Sequence, residues 1–177
     1  MKKLGILLSV ASGMIAAIGT KAVNAKPMTR QEYNDFRGWQ LPENENGADE
    51  GYLVEYQDGE PNTTEYNGYV SWSPKAQFDN AYQDVTKGVS FGHAVELLKA
   101  GHRVAREGWN GKGMFLYYVP ENKYPASRNE HGTMVGVFED DMVPYGAYIA
   151  MKTAQNNVVP WLASQTDVLA EDWQIVE

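Results

Sequence analysis

Two short stretches of the chain gather chemically able residue types at close spacing. The first is Arg106-Glu107-Gly108-Trp109-Asn110-Gly111-Lys112-Gly113. A Gly-rich turn that holds an indole and a carboxamide between cations offers a stacking plane, amide donors, backbone N–H groups and positive charge. That set suits a base, a ribose and a phosphate. The same residues also suit a plainer role, a hairpin turning at Asn110-Gly111 whose Trp109 covers the core. The second stretch is Val159-Pro160-Trp161-Leu162-Ala163-Ser164-Gln165-Thr166-Asp167. It sets another indole beside four polar side chains at a helix start, where backbone amides meet an anion. Its plainer role is a capping segment.

Other chemistries find no footing. The chain has no cysteine, so disulfides, thiol catalysis and cysteine-based metal centres are excluded. His93, His102 and His131 lack ligand spacing, and Glu139-Asp140-Asp141 reads as a solvated acidic run. Gly108, Gly111 and Gly113 match neither a P-loop nor a dinucleotide fingerprint. Ser90 and Ser164 read as helix caps rather than nucleophiles. No catalytic residue, metal or cofactor is expected, and an enzyme is the least favoured class.

The elements that must position the two stretches are legible around them. Ser90 opens a helix with an apolar stripe of Phe91, Ala94, Val95, Leu97 and Leu98, and Gly101 ends it. A strand over 102–106 leads into the first stretch, and an apolar strand over Met114 to Val119 leaves it. Glu121 to Pro144 is long, polar and charged, and reads as a loop or excursion. Tyr148 to Thr153 turns through Gln155-Asn156-Asn157 into Val158 to Trp161, and Trp173 to Val176 closes the fold. The sum is one helix packed on an antiparallel sheet of about four strands.

The preceding region reads as a second small α+β unit. Thr29-Arg30-Gln31-Glu32 is a capping box, with Met28 and Tyr33 placed as a hydrophobic staple and Gly38 as the stop. Strands follow at Gly51 to Tyr56 and Tyr69 to Trp72, and Ser73-Pro74 begins another helix. Tyr52, Tyr56, Tyr69 and Trp72 are either a binding face or the core of a domain too small to be built from aliphatics.

The chain has 177 residues, 43% of them hydrophobic and 21% charged, which is globular composition for one ordinary domain or two small ones. The net charge of −8 divides as +3 over residues 1–25, −8 over 26–86 and −3 over 87–177. Duplex nucleic acid is thereby disfavoured as a partner. Lys2 and Lys3 precede an apolar run from Leu4 to Ile18, too short for a stable membrane span of about 20 residues. The run suits an export signal cleaved after Val23-Asn24-Ala25. Alternatively it is an extended start, with Met14 as initiator and Ile18 to Ala25 as a first strand.

The sequence from Val89 to Gly101, then from Val104 to Phe115, resembles the start of the Thoeris anti-defence 2 domain. Tyr148 to Thr153, and Val159 to Asp167 with Asp172-Trp173, resemble its end. The resemblance covers residues 87–177, about half the chain, and departs at Glu121 to Tyr145. It implies a phage or prophage protein that binds a cyclic ADP-ribose-type immune signal, in some members also cyclic oligonucleotides, without cleaving it. It also implies a homo-oligomer, typically a tetramer, with pockets between subunits, acting in the cytoplasm of the bacterial host. The ligand contacts it suggests here are Phe91, Arg106, Trp109, Asn110, Lys112, Met114, Trp161, Ser164, Gln165, Thr166 and Asp167. Trp109 would stack on a base, and Asn110 and Asp167 would take ribose or base edges. Arg106, Lys112 and the amides of Ser164 to Thr166 would meet phosphate. Residues 18–86 are similar to a small phage module whose first strand is Ile18 to Ala25, which favours the strand over the export signal.

The expected organisation is therefore α+β, with a leader over 1–17, an acidic module over 18–86 and the ligand-binding domain over 87–177. Two other functions compete: an exported module that binds envelope glycans through its aromatics, and a phage structural or assembly protein.

Overall fold

The structure is a computed structural model that describes residues 19–128, 130–132, 136 and 138–176. The apolar start over residues 1–17, and Ile18 with it, lies outside the described residues, as do the leader and export readings that rest on it. The chain divides into two compact units between Tyr82 and Gln83. Sheets and helices occur in both, so the fold class is α+β.

The first unit is a three-stranded antiparallel sheet of β1 (Asn24–Pro27), β2 (Gly51–Tyr56) and β3 (Tyr69–Pro74), with β2 in the centre. Helix α1 (Arg30–Arg37) starts at the Thr29 capping box and ends at Gly38, whose φ of 66° a side-chain-bearing residue rarely adopts. Its Tyr33 joins Leu53 and Val70 in the core, and Met28 packs against them as the staple requires. Helix α2 (Lys75–Ala81) starts one residue later than Ser73-Pro74 suggests, because Pro74 still belongs to β3 and occupies the N-cap position. Trp72 packs on the core while Tyr69 stays exposed, so the four aromatics of this region split between core and surface. Glu55 is buried on β2 and takes hydrogen bonds from Asn24 Nδ2 and the amides of Asn67 and Gly68.

The second unit is a helix on an antiparallel sheet. The sheet has five strands, in the order β10 (Trp173–Val176), β4 (Arg103–Arg106), β5 (Phe115–Val119), β8 (Tyr148–Lys152), β9 (Val158–Pro160). Helix α3 (Phe91–Lys99) lays Ala94 and Leu98 on Val104, Leu116 and Trp173, all buried. The first β-bridge of the unit, Val89 to Trp173, seals the start of the helix to the edge strand. Ser90 has the extended backbone of an N-cap, but its hydroxyl contacts His93 Nδ1 at 3.0 Å instead of capping an amide.

Two expectations need correction. Asn110-Gly111 does not form a tight turn, because the left-handed conformation falls on Gly113 (φ 70°) and β4 joins β5 through the whole of 107–114. The Glu121 to Pro144 excursion is paired at its base: β6 (Asn122–Pro125) and β7 (Met142–Tyr145) form a two-stranded ribbon in register. Its strands are largely exposed and carry a proline each, so no apolar alternation marks them in the sequence. Glu139-Asp140-Asp141 is a short exposed turn before β7, with Asp140 and Asp141 in left-handed backbone.

Candidate functional site

The residues of the two chemically able stretches meet at the β10 edge of the second unit. Strand β4 delivers Arg106 to the rim, and β10 pairs Trp173 directly opposite it. The residue before Trp173 is Asp172. Arg106 Nε donates to Asp172 Oδ1 at 2.8 Å, and Nη1 donates to Asp167 Oδ1 at 3.1 Å and to the Thr166 carbonyl at 3.3 Å. The Gly108 amide donates to the other Asp172 oxygen at 3.0 Å. Trp109 Nε1 reaches Asp167 Oδ1 at 3.4 Å. One guanidinium therefore clips the 107–113 loop to the segment that carries Asp167.

That segment is held from its other side by its own cap. Ser164 is the N-cap of α4 (Gln165–Val168), and the capping box is complete. The Ser164 hydroxyl donates to Asp167 Oδ2 at 2.6 Å, the Ser164 amide donates to the same oxygen at 3.1 Å, and the Asp167 amide returns a bond to the hydroxyl. Both carboxylate oxygens of Asp167 are thus used, one for the cap and one for Arg106 and Trp109. The carbonyl of Asp167 accepts from Trp173 Nε1 at 3.1 Å.

The electrostatics follow from this geometry. Burial pulls the Asp167 carboxyl upward, but the Ser164 hydroxyl and amide, Arg106 and the Trp109 indole together hold it below its ordinary value. Asp172 is held low first by Arg106, against partial burial, with help from the Gly108 amide. Arg106 is raised in turn by Asp172 and then Asp167. All three are charged at neutral pH.

Beneath the clip lies an aromatic cluster. Trp173 is wholly buried, with Phe91 and Trp109 each 5.5 Å away and Trp161 at 6.0 Å between centroids. Trp161 also meets Phe91 at 5.9 Å and Trp109 at 6.4 Å. Edge-to-face and tilted contacts of this kind add to the area they bury. Trp109 therefore covers the core, as the plainer reading of its stretch holds, Trp161 does the same, and both remain partly accessible.

Of the eleven residues singled out in the sequence, Phe91, Arg106, Trp109, Trp161 and Asp167 form this connected assembly. Asn110, Lys112, Ser164, Gln165 and Thr166 line its surface and are exposed. Met114 folds back over Gly111, where a Cβ would lie 1.9 Å from its sulfur, so a side chain there would have to displace the flexible Met114 thioether. Two residues escaped the sequence reading as site members, Asp172 and Trp173. Neither carries a local signal, and only the pairing of β10 with β4 brings them in. Two shallow hollows lie elsewhere. One of about 330 Å³ is lined by Arg30, Glu45, Asp49, Trp72 and Pro74, and one of about 160 Å³ lies between α3 and the β5–β8 pair. Neither includes any of the eleven. Among the described residues no group of three or more histidines or carboxylates is arranged to hold a metal ion. No described helix is long and apolar enough to cross a membrane.

Comparison with known proteins falls on this unit. Residues 89–176 match the Tad2-like family, the Thoeris anti-defense 2-like domain. A protein of Bacillus phage SP01 named Thoeris anti-defense 2 is 47% identical over 88 residues, which cover 50% of this chain and 94% of that protein. The matched segment contains α3, all five strands of the sheet, the Arg106 clip and the aromatic cluster, and through it the chain belongs to the Thoeris anti-defense 2-like family.

Proposed function

We propose that this protein is a phage anti-defence protein whose second unit binds and sequesters a cyclic ADP-ribose-type immune signal, blocking Thoeris-type defence. The observation that carries the reading is the 47% identity to a Thoeris anti-defense 2 protein along nearly all of that protein's length. The site's chemistry supports it. Sequestration needs affinity and stoichiometry but no group that makes or breaks bonds. The candidate surface offers accessible indole edges at Trp109 and Trp161, the exposed carboxamides of Asn110 and Gln165, and the cation of Lys112. Its titratable core, Arg106 with two ionised carboxylates, is a closed ion cluster with no shared proton to transfer.

The candidate surface is not a closed cavity within one chain. A ligand seated on it would gain enclosure from a second copy, so the homo-oligomer, in the tetrameric arrangement the resemblance implies, is part of the same proposal. The protein acts in the cytoplasm of the infected or lysogenic host, where the signal is made. No observation on the described residues favours a glycan-binding or virion role.

The test mixes purified protein with the cyclic ADP-ribose isomer, removes unbound ligand, heats the complex and analyses what is released. Intact ligand at a fixed ratio to protein is the expected result. Absence of binding refutes the sponge, and release of a cleaved product converts the reading to an enzyme. Light scattering on the same sample reports the oligomer. Intact mass of the protein from cells tests for loss of residues 1–25.

A further inference from the structure

Two cations of the second unit share one aromatic partner. Arg106, Lys87 and Lys99 each face a carboxylate. Among the described residues Arg103 and Lys152 face none. Both instead lie over one ring, Phe115, with Arg103 Cζ 5.2 Å and Lys152 Nζ 5.9 Å from its centroid. Lys152 is half-buried and donates to the Gly113 carbonyl at 3.0 Å, which pins its ammonium to the residue that follows the exposed Lys112. An ammonium has three donors, so two remain.

Strand register places this group on the face of the sheet away from α3. Val104, Leu116 and Met151 point into the core, and Arg103, Phe115 and Lys152 are their chain neighbours, so they point the other way. Phe115 and Lys152 stand directly opposite each other on β5 and β8, and Tyr117 continues the aromatic surface opposite Ala150. A guanidinium lying over an arene keeps its in-plane N–H edge for a bidentate acceptor, and an ammonium over the same ring adds a point charge. Phosphate oxygens complement that pair. The net charge of −3 over residues 87–177 disfavours a long polyanion, so the acceptor belongs to a small molecule.

We infer that Arg103 and Lys152, over Phe115, form a subsite for a phosphate or diphosphate group, with Lys112 at its rim. The identity of the ligand rests on the proposed function. There the Arg106 guanidinium is taken up by Asp167 and Asp172, so the phosphates of a cyclic nucleotide need other cations. The subsite itself is a property of this geometry.

The test uses the full-length protein, labelled with 15N, in two arms. In the first, inorganic pyrophosphate is titrated at low salt while the amides of Gly113, Phe115 and Lys152 are followed. Saturable shifts are expected in the wild type and not in R103Q/K152Q, whereas K87Q/K123Q, with the same change of charge, retains them. In the second arm the cyclic ADP-ribose isomer is bound to the same three proteins. R103Q/K152Q is expected to weaken it about tenfold or more, the loss expected of one or two charge-assisted hydrogen bonds. An unchanged Trp173 indole resonance shows that the variant is folded, and the single variants R103Q and K152Q serve if it is not, each expected to weaken the pyrophosphate shifts. Pyrophosphate shifts that survive in R103Q/K152Q, or that vanish equally in K87Q/K123Q, overturn the subsite. Equal cyclic-nucleotide affinity in all three proteins overturns its use by that ligand. If the wild type binds pyrophosphate at these amides but no cyclic nucleotide, the proposed function fails and the anion subsite stands.

Discussion

Replacing Arg106 with methionine keeps the length of the side chain and deletes the clip. Arg106 is 19% exposed, Asp167 13% and Asp172 30%, so the ion pairs are neither fully buried nor screened as surface pairs are. Exposed pairs are worth about 0.2–1 kcal/mol, and stranding a buried partner costs about 3–5 kcal/mol. Two of the four bonds, at 2.8 and 3.1 Å, are short enough to count in full, and the contacts at 3.3 and 3.4 Å add little. Ordering the arginine side chain costs about 2 kcal/mol of rotamer freedom, which offsets part of the gain. The expected loss is about 2 kcal/mol for the second unit. Hydrogen exchange at the buried amides of Val104 and Leu116 reads the opening energy of that unit directly. A double-mutant cycle with Asp172→Asn isolates the pair at about 1 kcal/mol or more. The pH dependence gives a second, signed check. Asp167 and Asp172 both titrate below their unfolded value in the wild type, so their contribution is complete above about pH 4 and fades as pH falls through the lower folded values. In Arg106→Met that depression shrinks, and the acid limb of the stability curve flattens. A loss under about 0.5 kcal/mol, the range of an ordinary surface substitution, with an unchanged acid limb, refutes the clip as a structural element.

Three further outcomes test the fold. Leu116→Ala removes a fully buried side chain from the sheet centre and is expected to cost about 2–5 kcal/mol, read by the same exchange measurement. Ser164→Ala breaks the capping box of α4 and is expected to cost about 1 kcal/mol, with loss of exchange protection confined to the Asp167 and Val168 amides. Gly51→Ala would set a Cβ 2.5 Å from both the Ser73 carbonyl oxygen and the Trp72 ring, so the β2–β3 pairing must open. Destabilisation of the first unit by at least about 2 kcal/mol is expected, seen as faster exchange at Leu53 and Val70, with Val104 and Leu116 unchanged.

Local chemistry was legible in the sequence wherever one segment contains its own reason. Thr29 with Glu32, Ser164 with Asp167, Gly38 after Arg37 and the stripe from Phe91 to Leu98 each stop, start or face an element without help from elsewhere. The Asn110-Gly111 turn misled because its preference for left-handed backbone is real but weak. Met114 packing over Gly111 and the pull of Trp109 toward Trp173 select a wider loop instead. The β6–β7 ribbon was illegible because Asn122-Lys123-Tyr124-Pro125 has no buried face to impose a period of two. The candidate site was half legible. Its indoles and exposed polar groups lie within two short stretches. Asp172 joins through a hydrogen bond spanning 66 residues, and no local pattern announces such a contact.

The division of labour within the site leads to the last prediction. Arg106, Asp167 and Asp172 spend most of their hydrogen bonds on one another inside the unit, so a ligand that took them over would have to break bonds the fold relies on. Asn110, Lys112 and Gln165 are exposed, and among the described residues their side chains are not needed to hold any element in place. They are free to turn toward a ligand at no cost to the core. Asn110→Ala, Lys112→Ala and Gln165→Ala are therefore expected to leave stability within about 0.5 kcal/mol of the wild type. Each that touches ligand should weaken binding about five- to fiftyfold, the value of one hydrogen bond to a neutral or charged group. Variants at Arg106 and Asp172 should lower stability and affinity together, since they loosen the loop that carries Asn110 and Lys112. Calorimetric titration beside thermal melts, on the same samples, separates the two classes. If the exposed variants bind as well as the wild type while Arg106→Met loses affinity at full stability, the ion cluster contacts the ligand directly and the division is wrong.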